Sequence, residues 1–141
     1  LFCNISFVGS ESLIQELQGA TENVVISQVV PLPWDNSNPS VREYQELFNK
    51  AYPGDKLGFV SLEGFLAAKL TVKALEKAGQ NPTRDGFVKA FESLDKGVLT
   101  GLTISLGRED HQAMDTVYLT SYDRGEFREL KRVTVATPAQ P

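Results

Sequence analysis

The chain has 141 residues, of which 14 are Lys or Arg and 18 are Asp or Glu, so its formal net charge at neutral pH is −4. Apolar residues make up 41% of the sequence and charged residues 23%, a composition typical of folded globular proteins that argues against global disorder. The densest basic stretch, residues 124–132, is interleaved with Glu126 and Glu129, so the sequence lacks the basic cluster that binding to nucleic-acid phosphates requires.

The N-terminal sequence resembles neither a signal peptide nor a membrane anchor. No apolar run approaches the roughly 20 residues that a membrane-spanning helix needs, and the chain starts at an apolar Leu1 instead of an initiator Met. We therefore interpret the sequence as a fragment or as a processed protein. Its single cysteine, Cys3, cannot form an intrachain disulfide, and its apolar neighbours lead us to expect a buried thiol.

Hydrophobic periodicity and capping signals divide the chain into alternating elements. Strands are predicted at residues 1–9, 24–30, 102–106, 116–122 and 127–135, and helices after Ser12, at 41–51 with a Ser40 cap, at about 62–78 with a Ser61 cap, and after Thr83. The proline-rich segment 31–40 is predicted to be an extended crossing segment. The order β-α-β-α-α-α-β-β-β predicts an α/β fold that ends in an antiparallel hairpin.

The sequence contains no recognisable catalytic or metal-binding constellation. The one histidine, His111, lies in a polar loop beside Glu109 and Asp110, whereas a zinc site needs several spaced His or Cys ligands. No nucleophile–base motif and no phosphate-binding glycine loop is present. We therefore predict no catalytic residues, no metal, no cofactor and no enzyme activity. A hydrolase or transferase on the same scaffold is an alternative that would need a nucleophile–base pair.

Each of two aromatic side chains has two possible roles, one in packing and one in ligand binding. Trp34, between Pro33 and Asp35, either packs the crossing segment against its neighbours or contacts a ligand. Phe59, just before a predicted helix, either belongs to the core or lines a pocket, because helix N-termini favour anionic ligand groups.

Five strings of the sequence, in the same order along the chain, resemble type I periplasmic binding proteins similar to Leu/Ile/Val-binding protein. They are SFVGSESL (6–13), ENVVISQVVPLPWD (22–35), PSVREYQELF (39–48), FVSLEGFLAAKLTVKALEKAG (59–79) and DTVYLTSYDRGEFREL (115–130). The resemblance spans nearly the whole chain and is most specific in the fourth string. It identifies the chain as the C-terminal portion of such a protein.

The resemblance implies a two-lobed fold of three α/β/α layers, with three crossing segments and a ligand held between the lobes. It assigns residues 1–30 and about 99–141 to the second lobe, and 31–98 to a crossing segment and the helices of the first lobe. A portion of each lobe exposes part of its core. We therefore expect the chain to self-associate or to pair with the missing N-terminal portion.

The resemblance also implies which residues meet the ligand. The family's loop after the first strand of this segment often carries a carboxylate that contacts the ligand ammonium, and the matching residue here is the uncharged Ser6. Phe7 and Val8 flank this loop, and Phe59 matches an apolar contact to the ligand side chain. We expect these four residues to form the ligand site, and Ser6 favours ligands other than free α-amino acids.

The function implied by the resemblance is that of a periplasmic solute-binding component of an ABC importer. Its ligand would be a branched-chain amino acid or a related small organic molecule such as an aromatic acid or an amide. Its other partners would be the importer's membrane subunits, and the resemblance implies no nucleic acid and no cofactor. The alternative is a ligand-sensing module of a membrane receptor with the same fold, which a transmembrane segment elsewhere in the protein would distinguish.

Overall fold

Residues 1–130 are described by the computed structural model, and they form two units. Unit 1 consists of residues 1–28 together with the described residues from Tyr118 onward, and unit 2 consists of residues 29–117. The boundary between the two units lies between Val117 and Tyr118. The correspondence between these units and the two lobes stays a prediction.

Unit 1 is a four-stranded sheet with one short helix. Its elements are β1 (Phe2–Ile5), a 3₁₀ turn (Ser6–Val8), α1 (Ser10–Glu16), β2 (Val24–Gln28), β3 (Tyr118–Asp123) and β4 (Glu126–Glu129). The strand order is β1-β2-β3-β4, with β1 and β2 parallel and the other two pairs antiparallel. The β-branched run of β2 suits its central position, and Val24, Val25 and Ile26 are buried there.

The hairpin predicted at the end of the sequence is present between β3 and β4. Its two-residue turn consists of Arg124 and Gly125, with φ of 51° and 89°, and Asp123 pairs with Glu126 on either side of it. Two successive positive φ angles define a type I′ turn, whose twist matches that of the flanking strands. The predicted last strand reached residue 135, but β4 ends at Glu129, and residues 131–135 lie outside the described residues.

Unit 2 is helical and contains α2 (Pro39–Ala51), α3 (Phe59–Ala78) and α4 (Arg84–Glu92). Its core is formed by apolar residues of the three helices and of the segment that follows them. These residues are Val41, Tyr44, Phe59, Leu62, Leu66, Leu70, Ala74, Ala90, Leu99, Leu102 and Ile104. The three predicted helices are therefore confirmed, and α2 and α3 each bury an apolar stripe in the core. In α4 only Ala90 is buried, and Val88 of its predicted stripe is exposed.

The predicted cap of α4 is confirmed, since the Thr83 hydroxyl accepts a hydrogen bond from the Gly86 N–H at 3.0 Å, but the starts of α2 and α3 differ from those predicted. Asn38, not Ser40, caps α2, since its side-chain oxygen accepts hydrogen bonds from the backbone N–H groups of Ser40 (3.0 Å) and Val41 (3.4 Å). The Ser40 hydroxyl instead donates to the carbonyl of Thr100 at 2.8 Å. Helix α3 begins at Phe59, two residues before its predicted cap Ser61, whose hydroxyl donates to the Gly58 carbonyl at 3.0 Å.

The predicted strand at residues 102–106 is absent from the described part of the chain. Leu102 and Ile104 are buried and their neighbours exposed, so the alternation did identify inward-facing residues. The segment nevertheless has no strand ladder, because the Ile104 N–H donates to the Lys96 carbonyl and the Ser105 N–H to the Ala113 carbonyl. Alternating buried and exposed residues do not form a β-strand unless a neighbouring strand pairs with them through backbone hydrogen bonds.

The expectation that Cys3 is buried is wrong, since its side chain is exposed. Cys3 lies on β1, which is an edge strand in the sheet of unit 1. An apolar sequence predicts burial only if another element covers it. Among the described residues, no helix combines the length and the apolar character that crossing a membrane requires.

Candidate functional site

The edge of the unit 1 sheet at which β1 and β2 end is the natural place for a binding loop. Because these two strands are parallel, the chain leaves both of them at the same edge, after Ile5 and after Gln28. The antiparallel β3 starts at this edge, with Tyr118 paired to Gln28. In α/β sheets, ligands bind outside the carboxyl ends of the parallel strands.

Three of the residues predicted from the sequence form the 3₁₀ turn at this edge. Ser6 is partly buried, whereas the side chains of Phe7 and Val8 are 94% and 46% exposed. The carbonyl of Ser6 accepts a hydrogen bond from the N–H of Gly9 at 3.0 Å, and Gly9 has a φ of 70° that favours glycine. The turn therefore presents two apolar side chains outward, directly before α1.

A buried polar cluster fixes the residues that follow this turn. The Gln28 amide donates from Nε2 to Ser10 Oγ at 2.7 Å and to Thr120 Oγ1 at 3.3 Å, and Thr120 donates to the carbonyl of Ile26 at 3.0 Å. Gln28, Ser10 and Thr120 are each at most 1% exposed. Since Ser10 is the first residue of α1, this cluster connects the start of the helix to the centre of the sheet.

The sequence interpretation missed this cluster, although one signal for it was available. Gln28 interrupts the apolar run of residues 24–30, and a polar residue in a buried strand needs hydrogen-bond partners. The identity of those partners was not readable, since Ser10 lies 18 and Thr120 92 residues away in the sequence. The oxygen Oε1 of Gln28 is buried and has no donor among the described residues.

The fourth predicted residue, Phe59, belongs to unit 2 and is the first residue of α3. Its side chain is only 2% exposed and contacts the ring of Trp34 edge-on, with ring centroids 5.6 Å apart and planes inclined by 68°. Trp34 is 38% exposed. The pair thus supports the packing role considered for Trp34, with Trp34 as its solvent-facing member.

Tyr44 holds the start of α3, and with it Phe59, in place. The Tyr44 hydroxyl lies 2.6 Å from Ser61 Oγ and accepts a hydrogen bond from the Gly58 N–H at 3.2 Å. Tyr44 is 1% exposed, and its ring also contacts the rings of Phe48 and Phe65. Through these contacts a buried side chain of α2 fixes the start of α3. The position of Phe59 therefore depends on how α2 packs against α3.

Unit 2 also contains a cavity of about 410 Å³. Its lining combines apolar side chains such as Val30, Leu66 and Leu70 with the polar Glu63 and Asp115. None of the four residues predicted to bind ligand lines this cavity. It is therefore a feature of the helical unit that is separate from the predicted site residues.

Charged side chains elsewhere in the described residues form surface pairs and no metal centre. His111 Nε2 lies 3.0 Å from Glu92 Oε1, and no group of three or more potential His, Cys, Asp or Glu ligands occurs in residues 1–130. On α3, the hydrogen bond from Lys73 to Glu76 and the charge of that carboxylate raise the pKa of Lys73 above its usual value. These pairs belong to unit 2.

Comparison with known proteins places the chain in a family. The family model described as periplasmic binding protein matches residues 2–126. The chain belongs to the periplasmic binding protein family. The identification agrees with the resemblance found in the sequence and with the mixed α/β architecture.

Solved structures of periplasmic binding proteins share the fold of this chain. A possible leucine/isoleucine/valine-binding protein from Rhodopirellula baltica SH 1 is 32% identical, with a TM-score of 0.82 over 92% of this chain. A substrate-binding periplasmic protein from Ralstonia solanacearum is 25% identical, with a TM-score of 0.69 over 84%. A fatty acid ABC transporter substrate-binding protein from Thermomonospora curvata is 24% identical, with a TM-score of 0.62 over 82%, and shows likeness of fold alone.

The match covers only part of each of these structures. The chain spans 35% of the Rhodopirellula and Ralstonia proteins and 32% of the Thermomonospora protein, so it corresponds to about a third of a periplasmic binding protein. No curated protein matches the chain.

Proposed function

We propose that this chain is part of a periplasmic solute-binding protein that delivers a small organic ligand to the membrane subunits of an ABC importer. The observation that carries the proposal is the family match over residues 2–126, together with the exposed turn Ser6–Val8 at the carboxyl end of β1. The periplasmic location follows the family and is part of the same proposal.

The turn supports a role in binding through its unusual exposure. Phe7 and Val8 are apolar residues at the surface of a short turn that glycine conformation and a buried amide cluster hold in place. Exposed apolar side chains on a rigid scaffold are typical of a binding surface, because their contact with a ligand removes apolar area from water. We propose that Ser6, Phe7 and Val8 contact the ligand. The ligand contact expected of Phe59 stays a prediction, since its side chain is only 2% exposed in unit 2.

The proposed ligand class is branched-chain amino acids or related small organic molecules, including aromatic acids and amides. The relative that is 32% identical is described as a possible leucine/isoleucine/valine-binding protein, which supports an apolar side chain in the ligand. Ser6 offers a hydroxyl and no charge, so it can donate to a carboxylate or an amide carbonyl but cannot neutralise an ammonium group. We therefore propose acids and amides as ligands alongside free amino acids.

A ligand screen by thermal shift tests this function. A complete binding protein, made by joining this chain to the unmatched two thirds of the Rhodopirellula protein, would be heated with leucine, valine, 4-methylpentanoate, benzoate, benzamide and a fatty acid. A ligand at 100 times its Kd stabilises a protein by about 2.7 kcal/mol, which appears as a clear rise in Tm. We expect a rise with at least one small ligand, and no rise with any of them would contradict the proposal.

A further inference from the structure

The buried side-chain amide of Gln28 has a fixed orientation. The Thr120 hydroxyl donates its single proton to the carbonyl of Ile26 at 3.0 Å, so its oxygen can only accept from Gln28, 3.3 Å away. The amide atom that faces Thr120 is therefore the nitrogen Nε2, which also lies 2.7 Å from Ser10 Oγ. The reverse orientation of the amide would bring two acceptor oxygens together without a proton between them.

This orientation leaves the other polar atom of the amide, Oε1, without a hydrogen bond. Oε1 is buried and has no donor within residues 1–130, and Gln28 as a whole is 0% exposed. A buried carbonyl oxygen without a donor costs free energy, and most such oxygens in proteins meet a donor from another group, a water or a ligand. The Gln28 oxygen is therefore an acceptor that requires a donor from outside the described residues.

Gln28 lies at the same edge of the sheet as the turn Ser6–Val8. It is the last residue of β2, and the turn follows the end of β1 and contacts β2. The parallel register pairs Ile5 with Ser27, so the next step of this register brings the first residue of the turn beside Gln28. Ser10, which accepts from Gln28 Nε2, begins the helix after the turn. The unsatisfied oxygen thus adjoins the residues proposed to contact the ligand.

We propose that Gln28 is a specificity-determining residue of the ligand site, and that its Oε1 accepts a hydrogen bond from an N–H group of the ligand. The inference rests on the proposed function and narrows the ligand class to primary carboxamides. The Ser6 hydroxyl can donate to the carbonyl oxygen of such an amide, while Gln28 Oε1 accepts from its nitrogen.

The other two ligand types considered above fit this pair of groups less well. A carboxylate has no proton to donate and would place its negative charge against the Gln28 carbonyl oxygen. An ammonium group can donate, but its burial requires a negatively charged partner, which neither Ser6 nor Gln28 supplies. A neutral donor beside a neutral acceptor matches the amide.

The burial of Oε1 increases the value of this contact. Because Oε1 is already removed from water, a ligand N–H adds a hydrogen bond to it without replacing one to solvent. The low local dielectric strengthens that bond further. Binding requires a small movement of the side chains that cover Oε1. We expect an amide to bind at least about tenfold more tightly than an isosteric ligand that lacks the N–H group.

Two isosteric ligands test this contact in the unmodified protein. The chimera, in which this chain is joined to the unmatched two thirds of the Rhodopirellula protein, would be titrated calorimetrically with 4-methylpentanamide and with 5-methylhexan-2-one. A methyl group in the ketone replaces the amide nitrogen. We expect the amide to bind at least about tenfold more tightly. Equal affinities would overturn the proposal, since they are the result expected if a permanently bound water donates to Oε1.

A substitution assigns the preference to Gln28. Gln28→Met keeps an unbranched side chain but removes Oε1, so the ratio of the two Kd values should fall to about one. Ile26→Val is the control, because it loses a buried methylene group on the same strand and no hydrogen bond, and it should keep the ratio. A tenfold preference that persists in Gln28→Met would assign the contact to another residue.

A spectroscopic readout covers the case in which Gln28→Met does not fold. In the unmodified chimera, the carbon-13 resonance of Gln28 Cδ should shift when the amide is added and should not shift with the ketone. The same response to both ligands would contradict a bond to Oε1. Binding of leucine or benzoate without binding of the amide would overturn this inference alone, whereas no binding of any ligand in the thermal-shift screen would overturn the proposed function as well.

Discussion

Gln28 illustrates how much of this molecule depends on single polar side chains inside apolar strands. Its amide bonds to Ser10 and Thr120, which come from opposite ends of the sequence, and all three are almost completely buried. A buried hydrogen bond contributes a modest net stability, but losing one partner leaves the other polar group unsatisfied, which costs more. The cluster therefore stabilises unit 1 and orients the turn Ser6–Val8 at the same time.

Removal of the Thr120 hydroxyl should measure how much this cluster contributes to the stability of the protein. Thr120→Val keeps the shape of the side chain but removes both its hydrogen bond to the Ile26 carbonyl and the one from Gln28. We expect a loss of about 1–3 kcal/mol in the free energy of unfolding, measured by urea denaturation. The control Thr103→Val, at an exposed position, should change stability by no more than about 0.5 kcal/mol. Equal effects of the two changes would contradict a stabilising role of the cluster.

Ser6 is expected to determine the preference for a charged ligand group. If the turn contacts the ligand as proposed, Ser6→Asp introduces a carboxylate that can pair with an ammonium. Leucine and 4-methylpentanoate differ only in that ammonium group. We expect the ratio of their Kd values to shift toward leucine by roughly 10- to 100-fold, or about 1.5–3 kcal/mol, in calorimetric titrations of the chimera. Ser6→Asn is the control, because Asn has the shape of Asp without its charge, and it should leave the ratio of Kd values nearly unchanged. An unchanged ratio in Ser6→Asp would show that residue 6 does not contact the ligand.

At the scale of elements, the start of α2 depends on a loop that is distant in sequence. Asn38 caps the helix and donates from its amide to the carbonyl of Gly101 at 3.0 Å, while Ser40 bonds to Thr100. Gly101 has a φ of +85°, and a Cβ added there would lie 2.6 Å from Cδ of Pro39. The helix and the loop therefore fit together only with glycine at this position.

Two glycine substitutions test this fit. Gly101→Ala should lower the free energy of unfolding by more than about 1 kcal/mol, because it adds both a strained backbone angle and a contact with Pro39. Gly97→Ala lies in the same connection, where an added Cβ meets no atom within 4 Å, and it should have little effect. Denaturant unfolding of both variants measures the difference. Comparable losses would show that the close contact is not what restricts position 101.

The hairpin offers the opposite case, in which a substitution should stabilise the protein. Arg124 occupies a position with a φ of 51°, which Asn adopts more readily than Arg, so Arg124→Asn should raise the free energy of unfolding by about 0.5 kcal/mol. Arg128→Asn is the control, because it removes a similar ion pair. Asp123 Oδ2 lies 3.8 Å from Arg124 Nε and 3.7 Å from Arg128 Nη1, but of the two arginines only Arg124 has a positive φ. Thermal unfolding would show the difference. A gain in both variants, or in neither, would contradict the role of the backbone angle.

For the whole molecule, the sequence predicted the family and the order of the main helices and strands. It did not predict which of their apolar residues are buried. Periodic apolar residues predicted α2, α3 and α4, and the β3–β4 hairpin followed from alternation and the Arg-Gly turn. The segment 102–106 was predicted as a strand for the same reason, but local contacts to Lys96 and Ala113 hold it instead. Pairing with a partner strand is a long-range property that a local pattern does not encode.

An apolar fluorescent dye should report the uncovered surfaces of the whole chain. The chain alone exposes Val60, Val72 and Leu75 on α3 and Phe2 and Ile5 on β1, so it should bind the dye, and the chimera should bind much less. Val72→Glu adds a charge among the exposed apolar residues of α3, so it should lower dye fluorescence in the chain alone more than Val88→Glu, the same change at an exposed position of α4. Equal dye binding by the chain and the folded chimera would show that these surfaces remain open in the longer protein.

The sequence by itself determined the helices and the final hairpin, and the resemblance that it carries identified the family. Only the tertiary structure showed that Gln28 joins Ser10 to Thr120, that Asn38 and not Ser40 caps α2, that Cys3 is exposed, and that α3 is apolar on the side facing solvent. The reason is physical. Periodicity reports which residues prefer to leave water, but which group satisfies a buried amide, and whether an apolar face is covered, depends on residues distant in the chain.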